Sequence, residues 1–410
     1  MSAWDNPFSH GRKAVGKVLY EVIYLKTWQN RLIFFLTHLL AFALGILLVL
    51  FFAWVQLKQG HFKLERLEQI ITTCFIGEAD EKAMEDAAAN AMIASLDDRW
   101  SYYLSAEDYQ THLESMNNAY VGIGITILAS TDGSGFGIQA VTEGGPAQEA
   151  GLEIGDLLIA VNDQDVRGMT SSTLRDLVRG EEGTTVSITV LREGQELTIP
   201  VQRRRFETPV ATGQLLEGNI GLVTIENFDS RCAQESIAAI EGLLTQGAQG
   251  LIFDVRNNPG GYAHELVELL DYLLPEGEIF HTLYYDGREE REVSDANCLN
   301  IPMVVLVNGD SYSAAEFFAA TLQEYGAATI VGTQTCGKGH FQQTFPLGDG
   351  SAVGLSVGKY YTPQGKNLEG IGVTPDISIA LSEEEDAELY YDRLSPEEDA
   401  QVQEAVRILP

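Results

Sequence analysis

Residues 307–342 read VNGDSYSAAEFFAATLQEYGAATIVGTQTCGKGHFQ. The apolar run PMVVLV (302–307) predicts a buried strand ending in the turn Asn308-Gly309-Asp310. Ser313 then opens a helix. It can cap the first turn, Glu316 stands three residues on, and apolar residues recur to Leu322. Gly326 ends that helix. A second buried strand, Ala328 to Val331, runs into Thr333-Gln334-Thr335-Cys336-Gly337-Lys338-Gly339. In a parallel sheet, Ser313 and Lys338 both emerge at the carboxyl edge, where α/β folds place their sites.

That placement carries chemistry. A serine at a helix N-terminus has unpaired backbone N–H groups beside it and the positive end of the helix dipole. Such donors can hold an oxyanion. A lysine serves as the base only when neutral, and burial lowers its pKa from about 10.4 toward the working range. Glycines on both sides of Lys338 let backbone pack close and exclude water. Gln342 can orient the amine without adding charge. The result is Ser–Lys nucleophilic catalysis. The plainer reading of Ser-x-x-Glu is a capping box alone, and that of Lys338 a solvated loop residue. Nothing in the spacing decides whether Lys338 rests against Ser313 or is held away until substrate docks.

The stretch resembles the carboxyl-terminal processing (tail-specific) proteases of the Ser–Lys type. Their pattern is roughly V-N-x-x-S-A-S-A-S-E, a helix, a strand, then T-x-G-K-G-x-x-Q. The resemblance implies Ser313 as nucleophile, Lys338 (25 residues on) as base and Gln342 (29 residues on) as its partner. Asp310, Tyr312 and Ala315 depart from small or serine positions of that pattern, and Cys336 stands where an aromatic is common. The likeness extends over roughly 67–380. It implies no cofactor and no metal.

The net charge of −33 and pI near 4.4 argue against a nucleic-acid partner. Residues 1–66 hold eight basic and three acidic side chains, leaving 18 basic and 56 acidic in the rest, a net of −38. An acidic body on a basic stem suits an exported domain tied to a membrane. Cys74, Cys232, Cys298 and Cys336 form no CxxC pair, which argues for free thiols rather than a disulfide framework or zinc site.

Leu32 to Val55 is uncharged and spans about 36 Å as a helix, enough to cross a bilayer. Five basic residues precede it and three follow, which favours a cytoplasmic N-terminus and an extracytoplasmic body at the cell membrane. The run is too long for a cleaved signal peptide, and no A-x-A-like site follows. His38 reads as a tolerated polar residue within it.

The expected organisation is therefore an α+β multidomain chain: an N-terminal cytoplasmic segment (1–31), a transmembrane anchor (32–55), a helical region (56–115), a PDZ domain (116–203), an α/β protease core (204–381) and C-terminal helices (382–410). SLDDRWSYYLSAEDY (95–109) resembles the family's S-L-x-D-x-x-S-x-Y-L block, the alternative being a simple helical spacer. From Asn117 to about Arg203, short strands alternate with glycine turns. Gly122-Ile123-Gly124-Ile125, Gly145-Pro146-Ala147, Ala150-Gly151-Leu152 and Gly155-Asp156 through Asn162 resemble a protease-associated PDZ domain. That resemblance implies carboxylate capture by the backbone of 123–125 and addition of a substrate tail as a strand. Ile123, Ile125, Leu174, Leu177 and Val178 would line the pocket for its last side chain, although some of these leucines are expected to be plain core.

The block Arg256-Asn257-Asn258-Pro259-Gly260-Gly261 follows a buried strand (Gly250–Val255) and matches the family's R-N-N-P-G-G. By resemblance, Gly260 or Gly261 supplies the oxyanion hole with the Ala314 N–H. A plain strand-to-helix turn is the alternative. Asp254 and Arg256 read as a structural pair. Val402, Ala405, Val406 and Leu409 form an apolar stripe expected to pack on its own domain; relatives use terminal helices to dimerise, so a homodimer is the alternative.

The leading reading is a membrane-anchored serine endopeptidase acting on C-terminal tails of extracytoplasmic proteins. A second reading uses His340 or His264 as base, or Cys336 as nucleophile. A third, from another class, is a PDZ-bearing scaffold with a dead protease core.

Overall fold

The computed structural model describes residues 9–59, 62–130, 132–391 and 393–410. The first eight residues of the expected cytoplasmic segment lie outside the described residues. The chain divides into two units, 1–89 and 90–410. In the first, one helix of 51 residues runs from Ser9 to Gln59. No proline interrupts it. Its stretch Lys26–Phe52 is long and apolar enough to cross a membrane and buries nothing within the structure. It overlaps the anchor expected at 32–55. A shorter helix, Phe62–Cys74, follows.

Between residues 67 and 114 the sequence predicts helices. The structure places a helix at Glu81–Ala94 and another at Ala106–Met116, with a short strand, Tyr102–Leu104, between them. That strand pairs with Ala352–Gly354. The cause is local and tertiary at once. Tyr102 and Tyr103 favour an extended backbone, and Gly354 leaves room for the Tyr102 ring, which a side chain there would meet at 2.3 Å.

The PDZ module is an antiparallel sheet ordered Ile125–Ala129, Phe136–Val141, Leu157–Val161, Thr185–Arg192, Gln195–Gln202. Glycine turns separate the strands, and alternate side chains such as Val186, Ile188 and Val190 turn inward to a buried core. The helix Ser171–Val178 closes one side. A two-stranded ribbon, Ala119–Gly122 with Arg204–Glu207, joins this module to the next.

The second module is built on a mostly parallel sheet ordered Ala211–Leu216, Ile220–Ile225, Gly250–Asp254, Met303–Val307, Ala328–Gly332, Ile377–Ser378. Only the first strand is antiparallel. Both faces are covered, so the strands read as continuous apolar runs. Met303, Val305 and Val307 face the helices Cys232–Thr245, Ala263–Leu273 and Ala314–Glu324. Val304 and Leu306 face the terminal helix Ala400–Ile408 through Val402 and Ala405. The C-terminal apolar stripe is thus packed on its own sheet. Phe317 and Phe318 on the Ala314 helix are almost wholly buried, each contributing about 1.5–3 kcal/mol by the area removed from water.

A second, antiparallel sheet holds His340–Pro346, Ala352–Tyr361, Gly277–Tyr284, Glu289–Ser294 and Tyr102–Leu104. The segment 333–339 is the only direct link from the last long parallel strand to His340–Pro346, so Lys338 lies where the two sheets meet.

Candidate active site

Val307 pairs with Gly332, so the strands before the serine and before the lysine end side by side. After Val307 the chain turns sharply. Ser311 Oγ donates to Val255 O at 2.7 Å and accepts from Asn308 N at 3.0 Å. Asn308 and Asn257 clasp each other: Asn257 N donates to Asn308 Oδ1 at 2.9 Å, and Asn308 Nδ2 to Asn257 Oδ1 at 2.7 Å. The serine turn is therefore riveted to the Arg256–Gly261 block. Ser313 sits at φ 60°, ψ −120°, immediately before the helix Ala314–Glu324. A non-glycine residue there is strained, as residues held at active sites often are.

Gly260 lies directly under it. A side chain at Gly260 would come within 2.8 Å of Ser313 Cβ and 2.9 Å of Ala314 N. The Gly260 N–H is already committed to Asn258 Oδ1 at 2.9 Å. Among the described residues, the N–H groups of Gly261 and Ala314 have no hydrogen-bond acceptor. Both residues line one small cavity with Ser313, floored by Leu266, Phe280, Phe317 and Tyr360. Of the two expected glycines, Gly261 is thus the one with a donor to offer.

Glu316 does more than cap its helix. Its carboxylate is fully buried. It accepts from Ser313 N at 3.0 Å, Lys338 N at 2.7 Å, Gly337 N at 2.7 Å and Thr335 Oγ1 at 2.5 Å. No buried side-chain polar atom is left unpartnered among the described residues. Four donors make burial of this carboxylate tolerable. The Ser-x-x-Glu signal is in the sequence, but its second half, the lysine loop as client, is not visible there.

The lysine loop packs backbone on backbone. Gly337 has φ +84°, and a side chain at Gly339 would meet Glu369 N at 2.4 Å. Glu369 Oε2 accepts from Gly339 N at 2.9 Å and His340 N at 3.2 Å. Its other oxygen accepts from Trp100 Nε1 at 2.9 Å. Trp100 stacks near-parallel with Tyr312, ring centres 6.3 Å apart. Lys338 Nζ lies 4.8 Å from the Trp100 ring centre and 5.7 Å from that of Tyr312. No hydrogen bond joins Nζ to Ser313 Oγ. The amine is held against two aromatic faces, one from the turn before Ser313 and one from the block at residues 95–109. Neither partner was legible from spacing, although Tyr312 stands out as a departure from the family pattern.

Burial lowers the Lys338 pKa below the ordinary lysine value, against the opposing charges of Cys336, Glu369, Glu316 and Asp98. The aromatic faces favour the charged form as well. Asp98 stays below the usual carboxylate range: burial pushes it up, but hydrogen bonds from Ser101, Ser356 and the Trp100 N–H outweigh it.

Gln342 lies on the strand His340–Pro346. Its Nε2 donates to Ser356 Oγ at 3.1 Å and His340 O at 3.3 Å, not to the lysine. His340 Nδ1 is 3.5 Å from Glu369 Oε2. His264 packs on Tyr262 and is exposed. All four cysteines are free thiols, and Cys336 Sγ accepts from Arg99 Nη2 at 3.5 Å. Arg256 is buried against Asp254 (2.5 Å) and Asp399 (2.7 Å), which ties the terminal helix to the sheet. No cluster of three or more His, Cys, Asp or Glu among the described residues is arranged to hold a metal ion.

A second concavity lies on the PDZ module. Gly122, Ile123, Gly124, Ile125 and Val178 line it. Leu174 does not: it is fully buried in the module's core, and Leu177 packs on that core beside it. Among the described residues the strand Ile125–Ala129 is an edge, pairing only with Phe136–Val141. Gly124 needs its φ of +77°, and neither the Ile123 nor the Gly124 N–H has an acceptor among the described residues.

Residues 219–379 match the peptidase family S41 and residues 137–192 a PDZ domain. A carboxy-terminal-processing protease of Bartonella bacilliformis is 32% identical over 320 residues, 75% of this chain and 72% of that one. The carboxy-terminal processing protease CtpA of Bacillus subtilis is 31% identical over 322 residues, 78% and 69% of the two chains. A solved S41-type structure from Bacteroides fragilis superposes with a TM-score of 0.50 at 19% identity, covering 83% of this chain and 96% of that one, a likeness of fold. The fold and the site together define a PDZ-bearing serine peptidase of family S41. Within that class, this chain belongs to the carboxy-terminal-processing proteases. Protein or peptide substrates follow from that membership.

Proposed function

We propose that this peptidase is anchored in the cell membrane by the helix that includes Lys26–Phe52, with its N-terminus cytoplasmic and residues beyond about 60 extracytoplasmic. The charge asymmetry supports that orientation. Its PDZ groove takes the C-terminal tail of an extracytoplasmic protein: the terminal carboxylate on the Ile123 and Gly124 N–H groups, the tail as an added strand on Ile125–Ala129. Cleavage then occurs upstream at Ser313.

The observation that carries the catalytic reading is the Glu316 carboxylate, which takes the backbone N–H of both Ser313 and Lys338. In the reaction, Lys338 swings off Trp100 and Tyr312 as a neutral amine and takes the Ser313 hydroxyl proton. Oγ bonds to the scissile carbonyl carbon, and the oxyanion is met by the Gly261 and Ala314 N–H groups. The C–N bond breaks as Lys338 returns the proton to the leaving amine. Water then attacks the ester, Lys338 accepting its proton; the C–Oγ bond breaks as Lys338 passes that proton to Ser313 Oγ, which restores the hydroxyl and the neutral amine. Gln342 orients the amine in its working position. The apolar floor of the cavity excludes water from the acyl carbon.

The chain purified in detergent should degrade unfolded casein. Ser313→Ala and Lys338→Ala should each abolish this, and His340→Ala should not. Activity in Lys338→Ala equal to the parent would remove the Ser–Lys assignment. Casein left intact by the parent would favour a scaffold role.

A further inference from the structure

We propose that the PDZ groove prefers tails with an acidic side chain at the third residue from the C-terminus, read by Arg175. The inference rests on the tail-capture reading above and names which tails are chosen.

The groove helix Ser171–Val178 turns one face to the open edge of Ile125–Ala129. Ser171, Arg175 and Val178 are spaced by four and three residues and share that face, and all three line the groove. Arg179, at the helix end, leans toward Tyr120 (5.9 Å) and pairs with Glu114 at 3.6 Å. The C-terminal end of the helix therefore lies at the Gly122–Gly124 loop, where the carboxylate docks.

A tail added as a strand points its last and third-from-last side chains the same way, about 7 Å apart. The last one falls between Ile125 and Val178, an apolar pocket. Arg175 stands one helical turn back, about 4.5 Å along the axis at 1.5 Å per residue, within side-chain reach of the third-from-last position. Its side chain is more than half exposed, and its one ion-pair partner among the described residues is the equally exposed Asp176 at 3.9 Å. Among the described residues, none that lines the groove is acidic. In a body that carries a net −38 beyond residue 66, this is a cationic recess with an uncommitted fork of donors, the geometry that suits a carboxylate. Ser171, a further turn back, can accept or donate but carries no charge.

The test uses the full chain in detergent carrying Ser313→Ala, so that ligands are not cut. Fluorescent ten-residue peptides ending Glu-Ala-Val, Gln-Ala-Val and Lys-Ala-Val are titrated by anisotropy, with the Glu peptide also made as its C-terminal amide. The Glu peptide should bind about three- to tenfold tighter than the Gln peptide at low salt, the scale of a partly solvated ion pair. The gap should shrink at high salt. Arg175→Gln should erase the Glu-over-Gln gap yet keep the preference for free acid over amide, and Arg175→Lys should retain part of the gap and all of that preference. Equal binding of Glu and Gln peptides by the parent overturns the inference and leaves tail capture standing, as does a gap that survives Arg175→Gln. Equal binding of acid and amide overturns both.

Discussion

Glu316 Oε2 accepts the Lys338 backbone N–H at 2.7 Å while also taking that of Ser313 at 3.0 Å. One buried carboxylate thus sets the register between the Ser313 helix and the Lys338 loop, which follow neighbouring parallel strands of one sheet. In Glu316→Gln, one acceptor oxygen becomes an NH2 that faces donors. We expect kcat/KM to fall at least about a hundredfold, with about 1–3 kcal/mol lost in stability. Peptide hydrolysis and thermal melting read the two effects. A variant within threefold of the parent would show that the carboxylate is only a cap.

The Trp100–Tyr312 pair makes a prediction about pH. The proposed mechanism needs the neutral amine, so activity should rise as pH passes upward through the Lys338 pKa, which burial holds below the ordinary lysine value. The aromatic faces favour the charged form by about 0.5–2 kcal/mol. Trp100→Leu keeps the site apolar but removes one face. The midpoint of the acid limb of kcat/KM should move down by up to about 1 pH unit, with Trp100→Phe in between. A purely structural tryptophan would lower the whole profile and leave the midpoint fixed.

Asp229 offers a stability test. Burial, and secondarily the charge of Glu265, push its carboxyl up to about 7. Unfolded, it titrates near the ordinary value of about 3.9. The native chain therefore holds an extra proton between those values, and stability falls as pH rises from about 4 to about 7, then levels off. Asp229→Asn should flatten that slope, gaining about 1–3 kcal/mol over the parent at pH 8 and little at pH 4, after discounting for partial solvent access. Denaturant titrations at the two pH values decide it; an equal gain at both would place the effect elsewhere.

Gly260 tests the contact below Ser313. Its φ is +87°, and an added methyl would sit 2.8 Å from Ser313 Cβ. Gly260→Ala should reduce kcat more than a hundredfold by displacing Ser313 and the Ala314 N–H, because one misplaced oxyanion donor alone costs about that much. Active-site titration alongside circular dichroism separates this from unfolding. An active alanine variant would mean that the turn can relax without moving the serine.

Much of this was readable in the chain. The run to Val307, the turn and Ser313 predict a strand–helix junction, and the structure has one. Val331 into Lys338 likewise leads from a parallel strand into a loop at the same edge. These signals are local: apolar runs, a cap, glycines with positive φ. What escaped is tertiary. Tyr102–Leu104 is a strand because Gly354 leaves room for a ring 252 residues away in sequence. Trp100 reaches Lys338 through folding alone, and the lysine loop as client of Glu316 has no mark at residues 335–338. Leu174 and Val178 look alike at helical spacing, yet one fills the core and the other lines the groove. A four-residue step on a helix does not say which side of an apolar face looks out.

The central claim is that Ser313 becomes a nucleophile because Lys338 takes its proton. It is tested most directly by treating the chain with a fluorophosphonate across pH 6 to 9 and locating the adduct by peptide mass spectrometry. The adduct should form on Ser313, faster as pH rises, and should not form in Lys338→Met. Equal labelling of Ser313 in Lys338→Met, or an adduct on Cys336 instead, would contradict it.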